Sequence, residues 1–237
     1  MKLSQRLQAI ADLVDKGARV GDIGTDHGQL PCYLVEKAIA PRVIAADINA
    51  LPLAGAQKRI AESGFTEQIT TRLGDGLTVL KPGEVDTVTI SGMGGSLMTE
   101  ILEASAEVVC ALKQLILQPN LAAHLIRRWT AAHDWHIEQE RLLYEDGRYY
   151  EVLSLRPGKG RELSEAELWL GPELLSERHP LLVEYVRRDW LAEKAILAQV
   201  AKSDSAEAKE KAQRLTEKWQ HIEEAMRCRF SVEILSE

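Results

Sequence analysis

The chain has 237 residues, 45% hydrophobic and 27% charged, with a formal net charge of -7, a balance ordinary for one soluble globular domain plus an appendage. No apolar run approaches the about 20 residues a membrane span needs, and the N-terminal MKLSQRLQAIADLVDKGARV alternates charged and apolar residues rather than forming a signal peptide, so no membrane association is expected and the expected setting is cytoplasmic. The net charge by itself weighs against a nucleic-acid partner, although local patches can bind phosphates on an acidic protein.

Leu3, Leu7, Ile10, Ala11, Leu13 and Val14 recur at helical spacing behind a Ser4 cap, with Gly17 ending the helix. Residues 19–23 are a first strand, and a glycine-punctuated turn then opens a helix over 30–38 with Pro31 in its first turn. A strand over 42–47, a helix over 52–63, a strand over 69–73 and the turn Gly74-Asp75-Gly76 follow. Next come a strand over 85–90, the tip Ser91-Gly92-Met93-Gly94-Gly95, a helix over 96–102, a strand over 114–117 and a helix over 122–132. Strands alternating with helices imply a parallel sheet covered on both faces. Strands over 136–144 and 149–155 flank Glu145-Asp146-Gly147-Arg148, a hairpin signal because both central residues tolerate positive φ. Asp86 and Asp134 read as turn or cap residues.

Arg156-Pro157-Gly158-Lys159-Gly160 has linker composition, which predicts domains over 1–158 and 159–237. From His179-Pro180, Val183, Val186, Trp190, Leu197 and Ala201 keep steps of three and four. After the polar break 202–205, Ala208, Ala212, Leu215, Trp219, Ile222 and Met226 do the same. These read as an α-helical hairpin, an antiparallel coiled coil with both tryptophans in its core. Residues 230–234 read as a short strand or a segment packed on the linker. Cys32, Cys110 and Cys228 lack ligand spacing and are expected to be reduced and structural, with no metal.

The chemistry concentrates at the turn Asp22-Ile23-Gly24-Thr25-Asp26-His27-Gly28. Glycines at 24 and 28 let the backbone approach a ligand, and the following helix directs N–H groups to the same space. A dinucleotide site needs a second glycine where Asp26 stands, and a carboxylate there repels phosphate. This disfavours a dehydrogenase and suits a cationic, phosphate-free ligand such as S-adenosylmethionine. In a parallel sheet the ligand lies over the carboxyl ends of the strands. Asp47, with Ile48 after it, is placed to accept hydrogen bonds from ribose hydroxyls. Asp75 suits an adenine amino group, with Gly76 giving room, and the tip containing Gly92, Met93 and Gly94 stands beside the transferable methyl. The expected fold is therefore α/β, a class I methyltransferase Rossmann-like sheet closed by an antiparallel hairpin, plus the helical hairpin. The fourth tip lacks the proline-aromatic clamp of exocyclic-amine methyltransferases and has no nucleophilic cysteine, which leaves a ring nitrogen such as N1 of adenine among the allowed acceptors.

Asp-Ile-Gly-Thr-Asp-His-Gly-Gln-Leu at 22–30, Ala-Asp-Ile-Asn at 46–49, Gly-Asp-Gly-Leu at 74–77, Ile-Ser-Gly-Met-Gly-Gly at 90–95 and Leu-Gln-Pro-Asn at 117–120 resemble the bacterial tRNA (adenine(22)-N(1))-methyltransferase family, TrmK. The resemblance covers essentially the whole chain. It implies S-adenosylmethionine as donor, S-adenosylhomocysteine as product and a D-loop adenine of tRNA as acceptor. It also implies that Asp22, Gly24, Gly28, Asp47, Ile48, Asp75, Gly76, Gly92, Met93 and Gly94 serve the cofactor. Asp26 and His27 become the candidate catalytic wall, and Gln118, Pro119 and Asn120 contact the target base, with a plain turn as the alternative. Cationic footing for tRNA falls to Arg127-Arg128, Arg148, Arg156, Lys159, Arg161 and Arg187-Arg188, any of which also reads as an ordinary surface charge; no obligate protein partner is evident. Two other functions compete: a class I methyltransferase acting on a small molecule or protein, and a non-catalytic RNA-binding protein that retains a cofactor pocket.

Overall fold

The computed structural model describes residues 1–200, 202–203 and 205–235, which leaves Ala201 and Asp204, in the expected seam and break, outside the described residues. The chain divides into two units, Met1–Arg161 and Glu162–Glu237.

The first unit runs α1 (Gln5–Ala11), β1 (Val20–Ile23), α2 (Gln29–Glu36), β2 (Val43–Asp47), α3 (Ala50–Glu62), β3 (Ile69–Leu73), a 3-10 turn (Gly76–Val79), β4 (Thr87–Gly94), α4 (Gly95–Glu103), α5 (Ala106–Cys110), β5 (Gln114–Leu121), α6 (Ala123–Ala132), β6 (Trp135–Glu145) and β7 (Arg148–Pro157). These seven strands form one sheet in the order β3-β2-β1-β4-β5-β7-β6. The first five are parallel, and β7 inserts antiparallel between β5 and β6. The hairpin turn has Asp146 at φ 49 and Gly147 at φ 78, the double left-handed geometry that Asp-Gly accommodates, and it pairs Glu145 with Arg148.

β1 is buried along its whole length, as a central parallel strand covered on both faces must be. One core lies around Ile23, Val88, Ile90, Leu115, Leu117 and Leu153, and the other around Val20, Val43, Ala45, Ile116 and Val152. The alternation of Leu115 and Ile116 between the two cores is the pleat read out. Each fully buried Val, Leu or Ile contributes about 1.5–3 kcal/mol. β4 and β5 run further than their hydrophobic segments predict. Past Ser91 they stay paired through bulges, Met93 facing Pro119 and Gly94 facing Leu121, so the glycine-rich tip is a distorted strand end rather than a loop.

In the second unit, α7 (Glu165–Leu170) and α8 (Pro172–Ser176), absent from the sequence reading, precede α9 (Leu182–Val200) and α10 (Ala206–Phe230). Ser164 and Glu167 close a capping box on α7. Trp190 and Trp219 meet edge to face with centroids 5.0 Å apart, and Trp219 Nε1 donates to Glu193 Oε2 at 2.7 Å, so both rings belong to the seam. No strand forms at 230–234. The chain leaves α10 at Ser231, and the amides of Ile234 and Leu235 donate to Glu223 Oε2 at 2.7 and 3.1 Å. Among the described residues, no helix is long and apolar enough to cross a membrane, and no group of three or more metal-ligating side chains occurs. Cys32 is buried, but Cys110 and Cys228 are exposed, so a structural role by burial holds for Cys32 alone.

Candidate active site

A cleft of about 440 Å³ opens over the carboxyl ends of the parallel strands in the first unit. Four carboxylates line it, Asp22, Asp26, Asp47 and Asp75, together with Gly24, His27, Ile48, Gly76, Gly92 and Met93. The turn after β1 is anchored by the amides of Gly24 and Thr25, both donating to the Ala46 carbonyl at 2.9 Å. Gly24, Asp26 and Gly28 take φ of 72, 51 and 66. Asp26 thus holds the left-handed conformation that a glycine would otherwise supply, and aspartate is among the few residues that tolerate it.

The carboxylates differ in setting. Asp22 is 3% exposed and accepts a hydrogen bond from Thr89 Oγ1 at 2.6 Å. Burial pushes its carboxyl above the ordinary range, Thr89 partly opposes this, and the charge of Asp47 adds to it. Asp47 is also buried, with Oδ1 accepting the Asn49 amide at 2.8 Å and Oδ2 the Asp26 amide at 3.3 Å. These bonds fix the carboxylate and tie the first two strand tips together. Asp26 and His27 sit at the mouth with side chains 71% and 59% exposed and 3.6 Å between Oδ1 and Nε2. The His27 carbonyl accepts from Arg59 Nε at 2.8 Å, and a Cβ on Gly55 would meet its ring at 2.8 Å, so α3 supports this corner.

The fourth tip is shaped by β5. Gln118 Oε1 accepts the Gly92 amide at 3.1 Å, while Asn120 Nδ2 donates to the Gly92 carbonyl at 2.7 Å. Two amide side chains therefore hold Gly92 at φ 79, and Met93 extends from this tip until its Cε lies 2.6 Å from where a Cβ on Gly24 would be. The first and fourth tips meet here, and a side chain at position 24 would push the end of Met93 aside and would be strained by the φ of 72.

Several expected site residues lie elsewhere. Gly28 does not line the cleft; a Cβ there would meet Ala56 Cβ at 3.1 Å, so it packs α2 against α3. Gly94 is the N-cap of α4 and is likewise outside the lining. Gln118 is fully buried with its amide engaged, and Pro119 is buried, so of the three β5 residues only Asn120 is exposed. Gln118 shapes the tip rather than touching a base. Arg127 is corrected most sharply. It is 0% exposed, its Nε pairs with Glu140 Oε1 at 2.7 Å and its Nη2 with Glu151. Burial alone would lower a guanidinium, but the two carboxylates outweigh it and hold Arg127 above the ordinary arginine range. Its charge belongs to the core and is unavailable to RNA. Arg156 is similarly engaged by Asp15 and Glu138 at 2.6 and 2.8 Å. Asp86 bridges Arg19 and Lys113 at 2.9 Å each, doing more than capping a turn. Arg128 and Arg148 are exposed on the first unit; on α9 Arg188 is exposed and Arg187 half-buried.

Residues 20–224 match the family described as tRNA (adenine(22)-N(1))-methyltransferase, TrmK. This chain belongs to the TrmK family. The tRNA (adenine(22)-N(1))-methyltransferase of Bacillus subtilis is 36% identical over 233 residues, 95% of this chain and 98% of that one. The B. subtilis TrmK crystal structure superposes with a TM-score of 0.88 at 35% identity, covering 95% and 99% of the two chains. Streptococcus pneumoniae Sp1610 in complex with S-adenosyl-L-methionine gives 0.83 at 33% identity, covering 95% and 100%.

Among the lining residues of this TrmK cleft that the sequence did not single out are Arg6, Asn49 and Leu97. Asn49 and Leu97 each follow a recognised tip, and that adjacency was the available signal. Arg6 comes from α1, remote in sequence, where it reads as one polar residue on an amphipathic helix.

Proposed function

We infer that this chain methylates N1 of adenine 22 in tRNA with S-adenosylmethionine as donor, as its family membership indicates. The observation that carries the reading is the convergence of four strand-end carboxylates on one cleft, where Met93 reaches over Gly24. Such a cleft suits a cationic ligand without phosphates and repels a pyrophosphate. The donor, when bound, supplies a methyl group made electrophilic by a sulfonium.

The chain's own residues bind and orient. Asp47 is fixed by two backbone amides and keeps lone pairs for ribose hydroxyls. Asp75 serves the adenine amino group, Ile48 offers that ring an apolar face, and Asp22 provides negative charge beneath the sulfonium and ammonium end. The acceptor N1 presents an in-plane lone pair and needs no base to remove a proton; it needs alignment. Positive charge then develops on the target ring, and Asp26 at the mouth is placed to stabilise it, with His27 beside it. Gln118 and Asn120 act on the reaction through the conformation of Gly92.

The substrate adenine lies in folded RNA, so the base must be extruded to reach the cleft, with tRNA backbone held by exposed cations such as Arg128 and Arg148. We assign the body of the tRNA to the second unit, on the support of the basic pair Arg187-Arg188 of α9. No obligate protein partner is invoked, and the reaction is set in the cytoplasm, where tRNA serves translation. Incubation with labelled methyl donor and unmodified bacterial tRNA tests the reading. Label in tRNA is expected; label only in a small molecule or protein, or none at all, refutes it.

A further inference from the structure

The exposed apolar side chains at the carboxyl edge of the sheet continue past the cleft. Leu97 of α4 lines the cleft and is exposed. Leu121, which ends β5 and pairs with Gly94 of the fourth tip, is 68% exposed. β7 flanks β5 on its other side, and extending the register that pairs Leu117 with Leu153 sets Leu121 level with Tyr149. Tyr149 in turn faces Tyr144 across the β6–β7 hairpin, with ring centroids 4.8 Å apart and the planes inclined at 49°.

Alternation along the two strands puts both rings on the face that carries Glu140 and Glu151, the face α6 covers through Arg127. On the opposite face Tyr150 lies against Arg6 of α1, 5.7 Å from ring centroid to guanidinium, so that side is occupied. Towards the hairpin tip the cover of α6 gives out: Tyr144 is 49% exposed and Tyr149 half-buried. A cross-strand aromatic pair supports a hairpin, but that contact uses one side of Tyr144 and leaves about half of the residue in water. Arg148, next to Tyr149, is exposed. Its cross-strand partner Glu145 is turned to the amides of Gln5 and Arg6, and among the described residues no carboxylate lies within ion-pair distance of Arg148. An open aromatic surface beside an uncompensated cation suits a nucleobase and its phosphate, because single-stranded bases stack on tyrosine rings while cations hold the backbone. A need for such a surface arises at this edge. Extruding a base into the cleft strips its neighbours of their stacking, and a ring on the rim restores it.

We propose that Tyr144 and Tyr149 form a stacking platform for a nucleobase flanking the target adenine, with Arg148 on its phosphate and Leu121 joining the platform to the cleft. This rests on the reading of the protein as a tRNA methyltransferase. It adds the path by which the RNA strand leaves the site and makes Tyr144 a positioning residue.

Tyr144→Leu and Tyr144→Phe in the full chain test this, with unmodified tRNA transcripts carrying 2-aminopurine immediately before or immediately after the target adenine. In the wild-type complex one of the two labels is expected to stay quenched by stacking, and in the Tyr144→Leu complex the same label should brighten. The KM for tRNA should rise about 5- to 100-fold, the range of one base–aromatic stack, with kcat and S-adenosylhomocysteine affinity unchanged within about twofold. Tyr144→Phe should keep both the quenching and the KM. Should Tyr144→Leu fail to fold by circular dichroism, Leu121→Ser, at a largely exposed position, decides through the same two readouts. Both labels brightening in the wild-type complex would overturn the proposal, as would an unchanged KM in Tyr144→Leu, which would leave the pair a hairpin support alone. A Tyr144→Phe variant as impaired as Tyr144→Leu would assign the effect to the hydroxyl and overturn stacking as well. If wild type bound no tRNA, the tRNA methyltransferase reading itself would fail, an outcome distinct from these.

Discussion

Arg127→Met puts a number on the buried triad of the first unit. The Arg127 side chain is 1% exposed, and its partners Glu140 and Glu151 are 0% and 9% exposed, so the change removes a charge on which two nearly dry carboxylates depend. Methionine restores most of the volume, which leaves electrostatics as the main loss. Breaking a buried ion pair by removing one partner costs about 3–5 kcal/mol. A domain of about 150–250 residues loses about 2–4 °C per kcal/mol, so Tm should fall by about 6–20 °C. Urea unfolding followed by circular dichroism checks this, with an unchanged slope showing that stability alone has moved. The triple variant Arg127→Met/Glu140→Leu/Glu151→Leu should recover most of the loss, because no uncompensated charge remains. A single variant within about 1 kcal/mol of wild type that nevertheless lost tRNA affinity would refute the reasoning and return Arg127 to the RNA surface.

Gly95→Ala should destabilise strongly, by about 3 kcal/mol or more, since its Cβ would sit 2.2 Å from the Ala122 carbonyl oxygen. Gly17→Ala, strained by φ +87 but with nothing within 4 Å, should cost only about 1 kcal/mol, and paired thermal melts compare the two. Asp22→Asn should stabilise the ligand-free protein at pH 7 while weakening donor binding about tenfold. Burial raises the folded carboxyl, so the native state binds the extra proton and stability falls as pH rises above the unfolded value of about 3.9. The stabilisation should accordingly vanish in melts at pH 3. Glu84 behaves in the opposite way, because hydrogen bonds from Arg72 hold it at about 2 against an ordinary 4.5. Its contribution is present above about pH 4.5 and lost as pH falls towards 2, so the Tm gap between wild type and Arg72→Met should narrow over that window.

What the sequence made legible was whatever rests on local backbone chemistry. Gly24, Asp26 and Gly28 occupy left-handed conformations that few residues accept, and Asp146-Gly147 closes its hairpin for the same reason. The order of strands and helices followed from periodicity, and the position of Asp47 and Asp75 at strand ends followed from that order. What stayed hidden depends on partners distant in the chain. Arg127 reads as a surface cation until β6 and β7 bring Glu140 and Glu151 to it. Gln118 reads as a base contact until Arg6 and Gly92 are found on its carbonyl oxygen. Gly28 has the composition of a cofactor turn but serves a helix contact with Ala56, a use that only the packed structure distinguishes.

The central claim is tested most directly by mass spectrometry of digested tRNA after reaction with the purified protein and S-adenosylmethionine, using an unmodified transcript and its counterpart with guanine at position 22. One methyl group on N1 of adenine 22, absent from the counterpart, is the predicted result. A methyl group at another base or another atom of adenine, or equal methylation of both transcripts, would contradict the account.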